Sequence, residues 1–202
     1  MTDQKQDFAE IDYRLPAGPF TTIVADPPWT YTYSTRKTET KGTGWHSSTQ
    51  PRHDHYPTMT MAEIAAMPVA DVAADDAVLW LWVVNPMLTR CIEIASAWGF
   101  EYRGLLTWAK TARTDETKPF IGTGYWLRGA TEHAVLAVRG KPKPLVKNVP
   151  TWLAAPPSRH SEKPEAAMRI FEDYIDGPRL ELFARRKRDG WTSWGNEIED
   201  AA

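Results

Sequence analysis

The chain has 202 residues, which suits one domain with a full core, and we expect a single domain over residues 1–202. Hydrophobic residues make up 42% and charged residues 25%, which excludes wholesale disorder, and a formal net charge of −2 excludes a strongly basic protein. The single cysteine, Cys91, excludes an internal disulfide; the longest apolar run, residues 77–84, and the polar start predict neither membrane span nor signal peptide, so we expect a cytoplasmic protein.

The apolar patterns predict strands and helices that alternate along the chain. A β-branched run over residues 20–25 predicts a strand that ends at Asp26, because two prolines follow. Four further apolar runs predict strands over residues 77–84, 105–108, 134–138 and 180–184. Helical spacing predicts helices over residues 60–67, 87–98 and 163–175, the second with Gly99 as its C-cap glycine.

This alternation predicts an α/β fold with an open, doubly wound sheet. The unbroken apolar runs are typical of strands buried on both faces, as in parallel sheets. In such folds ligands bind in the crevice beyond the carboxyl ends of the strands, which is where Asp26 falls. Two polar stretches, residues 30–57 and 111–124, exceed ordinary connection lengths, so we expect either functional loops or disordered insertions.

The tetrapeptide at the first strand end, Asp26-Pro27-Pro28-Trp29, is the most informative motif. Asp26 can accept one N–H of an exocyclic amine and a stiff proline carbonyl the other, which orients the nitrogen for attack on a methyl donor. Trp29 offers an indole face on which an extruded base can stack. These residues suit methylation of adenine N6; a proline turn with an incidental Asp and Trp is the alternative.

Seven stretches extend the pattern over residues 23–198: VADPPW, HYPTMTMAEI, AVLWLWVVNPM, WGFEYRGLLTWAKT, GTGYWLRGATEHAVLAVRGKP, HSEKPEAAMRIFEDY and LELFARRKRDGWTSWGNEI. In this order they resemble the family of the eukaryotic mRNA adenine-N6 methyltransferase catalytic subunit and its bacterial and phage DNA adenine-N6 methyltransferase relatives. The resemblance implies a Rossmann-like, S-adenosylmethionine-dependent methyltransferase sheet with a permuted motif order, in which the catalytic strand precedes the cofactor-binding half.

The same resemblance implies the residues of the site. The cofactor S-adenosylmethionine would be held by Asp12, Asp26, Lys163, Arg185, Asn196 and Glu197. The target adenine would contact Trp29, Tyr56, Glu132 and Lys163. The catalytic residues would be Asp26, Pro27, Pro28 and Trp29. Glu197 stands where the mRNA enzymes have Gln, so it can accept hydrogen bonds but not donate them.

The substrate is the least determined part of this hypothesis. We expect DNA, because the chain is a compact core without the zinc-finger and partner-binding extensions of the eukaryotic proteins, and RNA is the alternative. A catalytically inactive nucleic-acid-binding subunit is an alternative of another class, but Asp26 and Lys163 are both present. Amino methylation of a small molecule or a protein side chain is a third. Whether the protein is a monomer or a dimer is left open.

Three further patterns have ordinary explanations beside functional ones. A histidine-rich segment, with His46, His53, His55 and Asp54, lacks the spacing of a zinc motif, so we favour a substrate-binding loop and expect no metal. The densest basic run is either a solvated strand end or a phosphate contact, and it comprises Arg185, Arg186, Lys187 and Arg188. The ten tryptophans are expected mostly in the core.

Overall fold

The computed structural model describes residues 14–30, 58–124, 126–158, 162–196 and 198. Within these ranges the strands are β1 (Phe20–Ala25), β2 (Ala73–Val83), β3 (Glu101–Ala112), β4 (Asp115–Pro119), β5 (Thr131–Arg139), β6 (Trp152–Ala155), β7 (Arg179–Leu182) and β8 (Thr192–Trp194). The helices are α1 (Met61–Ala66), α2 (Val69–Val72), α3 (Leu88–Ala97) and α4 (Glu165–Tyr174), with a 3-10 turn at Asn85–Met87. None of these helices is long and apolar enough to cross a membrane.

The strands form one eight-stranded mixed sheet in the order β4-β3-β5-β2-β1-β7-β8, with β6 beside β3. The central strand β1 runs parallel to both β2 and β7, and β8 continues the parallel half beyond β7. In the other half β5 is antiparallel to β2 and to β3. The start of β5 therefore lies beside the end of β2, at the edge of the sheet where β1 also ends.

Successive residues of the central strands point to opposite faces and enter two separate cores. On one face Ile23 and Leu79 pack with residues of α1, α2 and α3. On the other face Trp80 and Trp82 pack against α4, where Phe171 stacks on Trp80 with ring centroids 4.5 Å apart. Helices thus cover both sides of the sheet, and the predicted doubly wound α/β fold is confirmed.

Two of the helices have defined caps. Thr60 and Glu63 form a capping box at the start of α1, with hydrogen bonds of 3.3 and 2.6 Å. Gly99 follows α3 with a φ of 81°, a left-handed conformation that favours glycine. Cys91 lies on the buried face of α3, where burial raises the pKa of its thiol to about 12, as expected of a packing residue.

Two expectations need correction. The apolar run of β2 favoured a parallel strand, and β2 is buried on both faces, but it pairs antiparallel with β5. Covering helices, and not strand direction, decide which faces of a strand are buried. The polar stretch at 111–124 is not a plain loop: β3 continues to Ala112 and β4 pairs back along it. Its side chains are polar because β4 lies at the edge of the sheet in water.

Candidate active site

The site lies at the edge of the sheet where the parallel strands end, which we call the carboxyl edge. The last residue of β1, Ala25, pairs with Leu81 on one side and Leu182 on the other, and Asp26 follows immediately. Helices α1 and α2, which precede β2, pack on one face, and α4, which precedes β7, packs on the opposite face. Asp26 therefore stands at the topological switch point of the sheet, with 32% of its side chain exposed.

Hydrogen bonds to neighbouring segments hold the rest of the tetrapeptide. The Pro27 carbonyl accepts from the Trp29 amide at 2.8 Å, and the Pro28 carbonyl accepts from the Met59 amide at 2.9 Å. The indole Nε1 of Trp29 donates to the Trp82 carbonyl at 3.1 Å, and Trp29 is only 6% exposed. Trp29 thus anchors the segment in the core, and little of its ring is open to a base.

Asp26 ends a chain of four alternating charges, the ion chain, formed by Lys110, Glu132, Lys163 and Asp26. Lys163 Nζ donates to Asp26 Oδ2 and lies 3.6 Å from Glu132 Oε2. Lys110 Nζ donates to the other oxygen of Glu132, Oε1, at 2.6 Å. The lysines and Glu132 are largely buried, with 13% of the Lys163 side chain and 17% of Lys110 and Glu132 exposed. The predicted catalytic, cofactor and substrate residues Asp26, Lys163 and Glu132 are brought together.

Sheet register explains why these residues meet. Because β5 runs antiparallel to β2, its second residue, Glu132, lies near the carboxyl edge, opposite Trp108 of β3. Lys110 lies two residues beyond Trp108 and therefore on the same face of the sheet. The rings of Trp82 and Trp108 pack edge to face beneath the ion chain, and Lys163 and Lys110 lie 5.5 and 4.8 Å from their respective centroids. Both ammonium groups therefore lie over the electron-rich face of an indole ring, which attracts a cation.

The electrostatics keep Lys163 protonated. Burial alone would lower the pKa of Lys163, and the charge of Arg185 acts in the same direction. The carboxylates of Asp26 and Glu132 outweigh both effects, so the pKa of Lys163 is raised above its ordinary value. Lys163 is therefore a permanent ammonium at neutral pH and cannot serve as a proton acceptor.

Other predicted residues lie along the same edge or outside the described residues. Arg185 and Asn196 follow β7 and β8, which pair side by side up to Leu182 and Trp194. A Cβ on Gly195 would lie 2.2 Å from the Ala184 carbonyl oxygen, so glycine permits this close approach. The predicted residues outside the described ranges are Asp12, Tyr56 and Glu197, with His46, His53, Asp54 and His55 of the histidine-rich segment.

Lys110 and a second, uncharged network are absent from the sequence-based site. His133 Nε2 and Asn85 Oδ1 are 2.9 Å apart, and Nδ1 lies 3.1 Å from Thr107 Oγ1. Since the Asn85 amide nitrogen donates to Thr131, its oxygen accepts, and His133 donates through Nε2. Burial lowers the pKa of His133 despite the neighbouring Glu132, which agrees with a neutral ring. The sequence signal that could have revealed these residues is the presence of polar side chains within or beside the apolar strands.

The basic run after β7 is only partly open to a ligand. Arg188 donates to Glu165 at 2.9 Å and to Glu172 at 3.2 Å, both on α4, and only 15% of its side chain is exposed. Arg186 forms an exposed ion pair with Glu162 at 2.6 Å. The Arg188 guanidinium therefore fastens this segment to α4, and phosphate contact by the rest of the run stays a prediction.

Arg188→Gln is expected to lower the free energy of unfolding by about 1.5–3 kcal/mol, since hydrogen bonds between charged groups are lost from a mostly buried guanidinium. Lys187→Gln, at the exposed neighbouring position, is the matched control and should change stability by less than about 0.5 kcal/mol. Urea denaturation measures both. Wild-type stability in Arg188→Gln, combined with weaker nucleic-acid binding, would instead return Arg188 to the ligand.

No group of three or more His, Cys, Asp or Glu side chains that could hold a metal ion is found among the described residues. The ionisable side chains of the site are instead paired as alternating acids and bases.

A doubly wound sheet with the tetrapeptide Asp26-Pro27-Pro28-Trp29 at its switch point is the architecture expected of a Rossmann-like methyltransferase. The MT-A70 family model matches residues 20–197, and the chain belongs to the MT-A70 family. The family resemblance stated from the sequence motifs is thereby confirmed.

Individual relatives agree with this assignment. The chain is 31% identical over 201 residues to the Type II methyltransferase M.MunI of Mycoplasma sp, covering 95% of this chain and 83% of the relative. It is 31% identical to the N(6)-adenine-specific methyltransferase METTL4 of Homo sapiens, covering 89% of this chain and 37% of that protein. It is 26% identical to the human N(6)-adenosine-methyltransferase catalytic subunit METTL3, covering 90% and 29%. The chain thus spans well under half of either human protein.

Proposed function

We propose that the chain is an S-adenosylmethionine-dependent adenine-N6 methyltransferase whose substrate is DNA. The observation that carries the proposal is the partly exposed Asp26 carboxylate at the switch point, held by the buried ammonium of Lys163. Both groups argue against a catalytically inactive subunit. DNA is favoured over RNA because of the Mycoplasma relative, of which this chain covers 83%. That relative is a type II methyltransferase, the class that modifies DNA. This substrate and cofactor chemistry, with a free cysteine, suits the cytoplasm.

The residues present fit the cofactor by the chemistry of their donor set. S-adenosylmethionine carries an ammonium and a carboxylate on its amino-acid end, and hydroxyls on its ribose. Asp26 would bind the ammonium, Lys163 and Arg185 the carboxylate, and Asn196 with Glu197 the hydroxyls. These positions, apart from Glu197, which lies outside the described residues, follow β1, β7 and β8 or precede α4 along one edge. When bound, the cofactor supplies an electrophilic methyl group.

The chain's own residues would then orient the amine. The N6 lone pair of adenine is delocalised into the ring. Hydrogen bonds from the two N–H groups of the amine to fixed acceptors direct this lone pair toward the methyl group. Asp26 provides one acceptor. The carbonyls of Pro27 and Pro28 each use one lone pair within the protein and keep the other for the amine. Asp26 can accept this N–H through Oδ1 while its Oδ2 keeps the bond to Lys163, and Glu132 is left to contact the target nucleoside.

Proton removal completes the reaction. The methylated nitrogen carries a positive charge and must lose one proton. Lys163 cannot accept it because its pKa is raised. Asp26, which already accepts an N–H from the amine, is the nearest carboxylate and is open enough to pass the proton to water.

The substrate class is tested by tritium transfer from labelled cofactor to DNA, RNA and free adenosine while the salt concentration is varied. Transfer to a polynucleotide should weaken with salt, with a log-log slope of roughly −0.7 per phosphate contact on single strands. Single-stranded DNA should be methylated at least as well as duplex if extrusion of the base limits the rate. Salt-independent activity with free adenosine as the best substrate would defeat the nucleic-acid proposal.

A further inference from the structure

Lys110 is a charged residue of the site that the tetrapeptide chemistry does not use. It lies near the end of β3, on the face covered by α4, with its ammonium above the Trp108 ring and bonded to Glu132 Oε1. A lysine serving only solubility or loose phosphate contact would extend into water. Lys110 instead points along the sheet, and 17% of its side chain is exposed.

In the ion chain, Lys110 and Lys163 compete for the carboxylate of Glu132. Glu132 has two ammonium neighbours, and it contacts Lys110 at 2.6 Å but lies 3.6 Å from Lys163, beyond a hydrogen bond. Lys163 is bonded to Asp26. Without Lys110, both carboxylate oxygens of Glu132 could turn to the Lys163 ammonium. Among the ion pairs of the described residues, Glu132 is paired with two cations, Lys110 and Lys163.

We propose that Lys110 is a positioning residue for methyl transfer, which holds Glu132 off Lys163 and so keeps the Glu132 carboxylate available to the target adenosine. This inference rests on the proposed function, in which Glu132 contacts the target nucleoside. Lys110 itself touches neither cofactor nor substrate. It acts through Glu132, so its loss affects use of the nucleic acid more than binding of S-adenosylmethionine.

The test compares Lys110→Met with Lys110→Arg, which keeps the charge, and with Lys141→Met, which removes an exposed lysine beyond β5 at the opposite edge of the sheet. Lys110→Met is expected to lower kcat/KM for DNA by about tenfold or more, because a charge-assisted hydrogen bond is lost from a mostly buried site. Its affinity for S-adenosylmethionine in calorimetry should change less than about threefold, whereas loss of a direct cofactor contact would exceed this. Lys110→Arg should recover most of the activity, and Lys141→Met should match wild type.

A double-mutant cycle separates positioning from direct phosphate binding. If Lys110 acts through Glu132, adding Lys110→Met to the Glu132→Gln variant should lower kcat/KM for DNA by less than about a further twofold. The double variant has lost one charge of each sign and therefore tolerates folding better than Lys110→Met alone. Losses that multiply, or Lys110→Met with wild-type kinetics, overturn the inference while the methyltransferase proposal stands. Wild-type protein that methylates no nucleic acid overturns both.

Discussion

Replacement of Asp26 by alanine is expected to lower methyl transfer by at least about a hundredfold, the usual effect of removing a positioned acceptor. Asp26 is the one carboxylate of the tetrapeptide, and it stands at the switch point with its side chain partly open. The fold should persist, because Lys163 keeps Glu132 as a neighbour at 3.6 Å and is not left as an isolated buried cation. Tritium transfer from labelled cofactor measures activity, and thermal unfolding measures the fold.

Two further variants show which property of Asp26 matters. Asp26→Asn keeps the shape but removes the charge that binds Lys163 and receives the proton, so it should be nearly as inactive as Asp26→Ala. Asp75→Ala removes an exposed carboxylate near the start of β2, at the opposite end of the sheet, and should behave as wild type. Turnover of Asp26→Ala within about tenfold of wild type would remove Asp26 from the reaction.

Much of the fold could be predicted because local patterns agree with it. The β-branched run before Asp26 stops at two prolines, and β1 ends there. The apolar run of β2, the helical spacing over α1 and the C-cap glycine after α3 likewise mark real elements, within a few residues at their ends. The direction of β5 could not be predicted, since pairing partners are set by long-range packing rather than by the strand's own residues.

The site was predictable to the extent that it lies in continuous motifs. Asp26 and Lys163 stand in segments with strong local signatures, and the structure joins them directly. Lys110 and Glu132 meet only through the register of β3 and β5, which no local pattern encodes. Stacking of a base on Trp29 stays a prediction from the motif, while hydrophobic burial and the hydrogen bond to the Trp82 carbonyl decide the environment of its ring here.

Lys163→Ala is expected to weaken S-adenosylmethionine binding by about 10- to 150-fold, which corresponds to the loss of about 1.5–3 kcal/mol for a hydrogen bond to a charged group. The substitution also leaves Asp26 and Glu132 without the ammonium that they share, so methyl transfer should fall further than affinity. Asn196→Ala should weaken binding less, because an uncharged amide is lost. Lys187→Ala, an exposed lysine beyond β7, is the matched control. Unchanged affinity in both Lys163→Ala and Asn196→Ala would remove the proposed cofactor site from this edge.

The pH dependence of cofactor binding tests the same residue independently. Because the pKa of Lys163 is raised in the folded protein, its ionic interactions are fully present below the ordinary lysine pKa and are lost only as pH rises through the raised value. Calorimetry on the wild type should therefore show no loss of affinity attributable to Lys163 between about pH 6 and about pH 9. A decline across this window that Lys163→Ala abolishes would mean that burial outweighs Asp26 and Glu132. The ammonium would then be released near neutral pH, and Lys163 would become a candidate proton acceptor in place of Asp26.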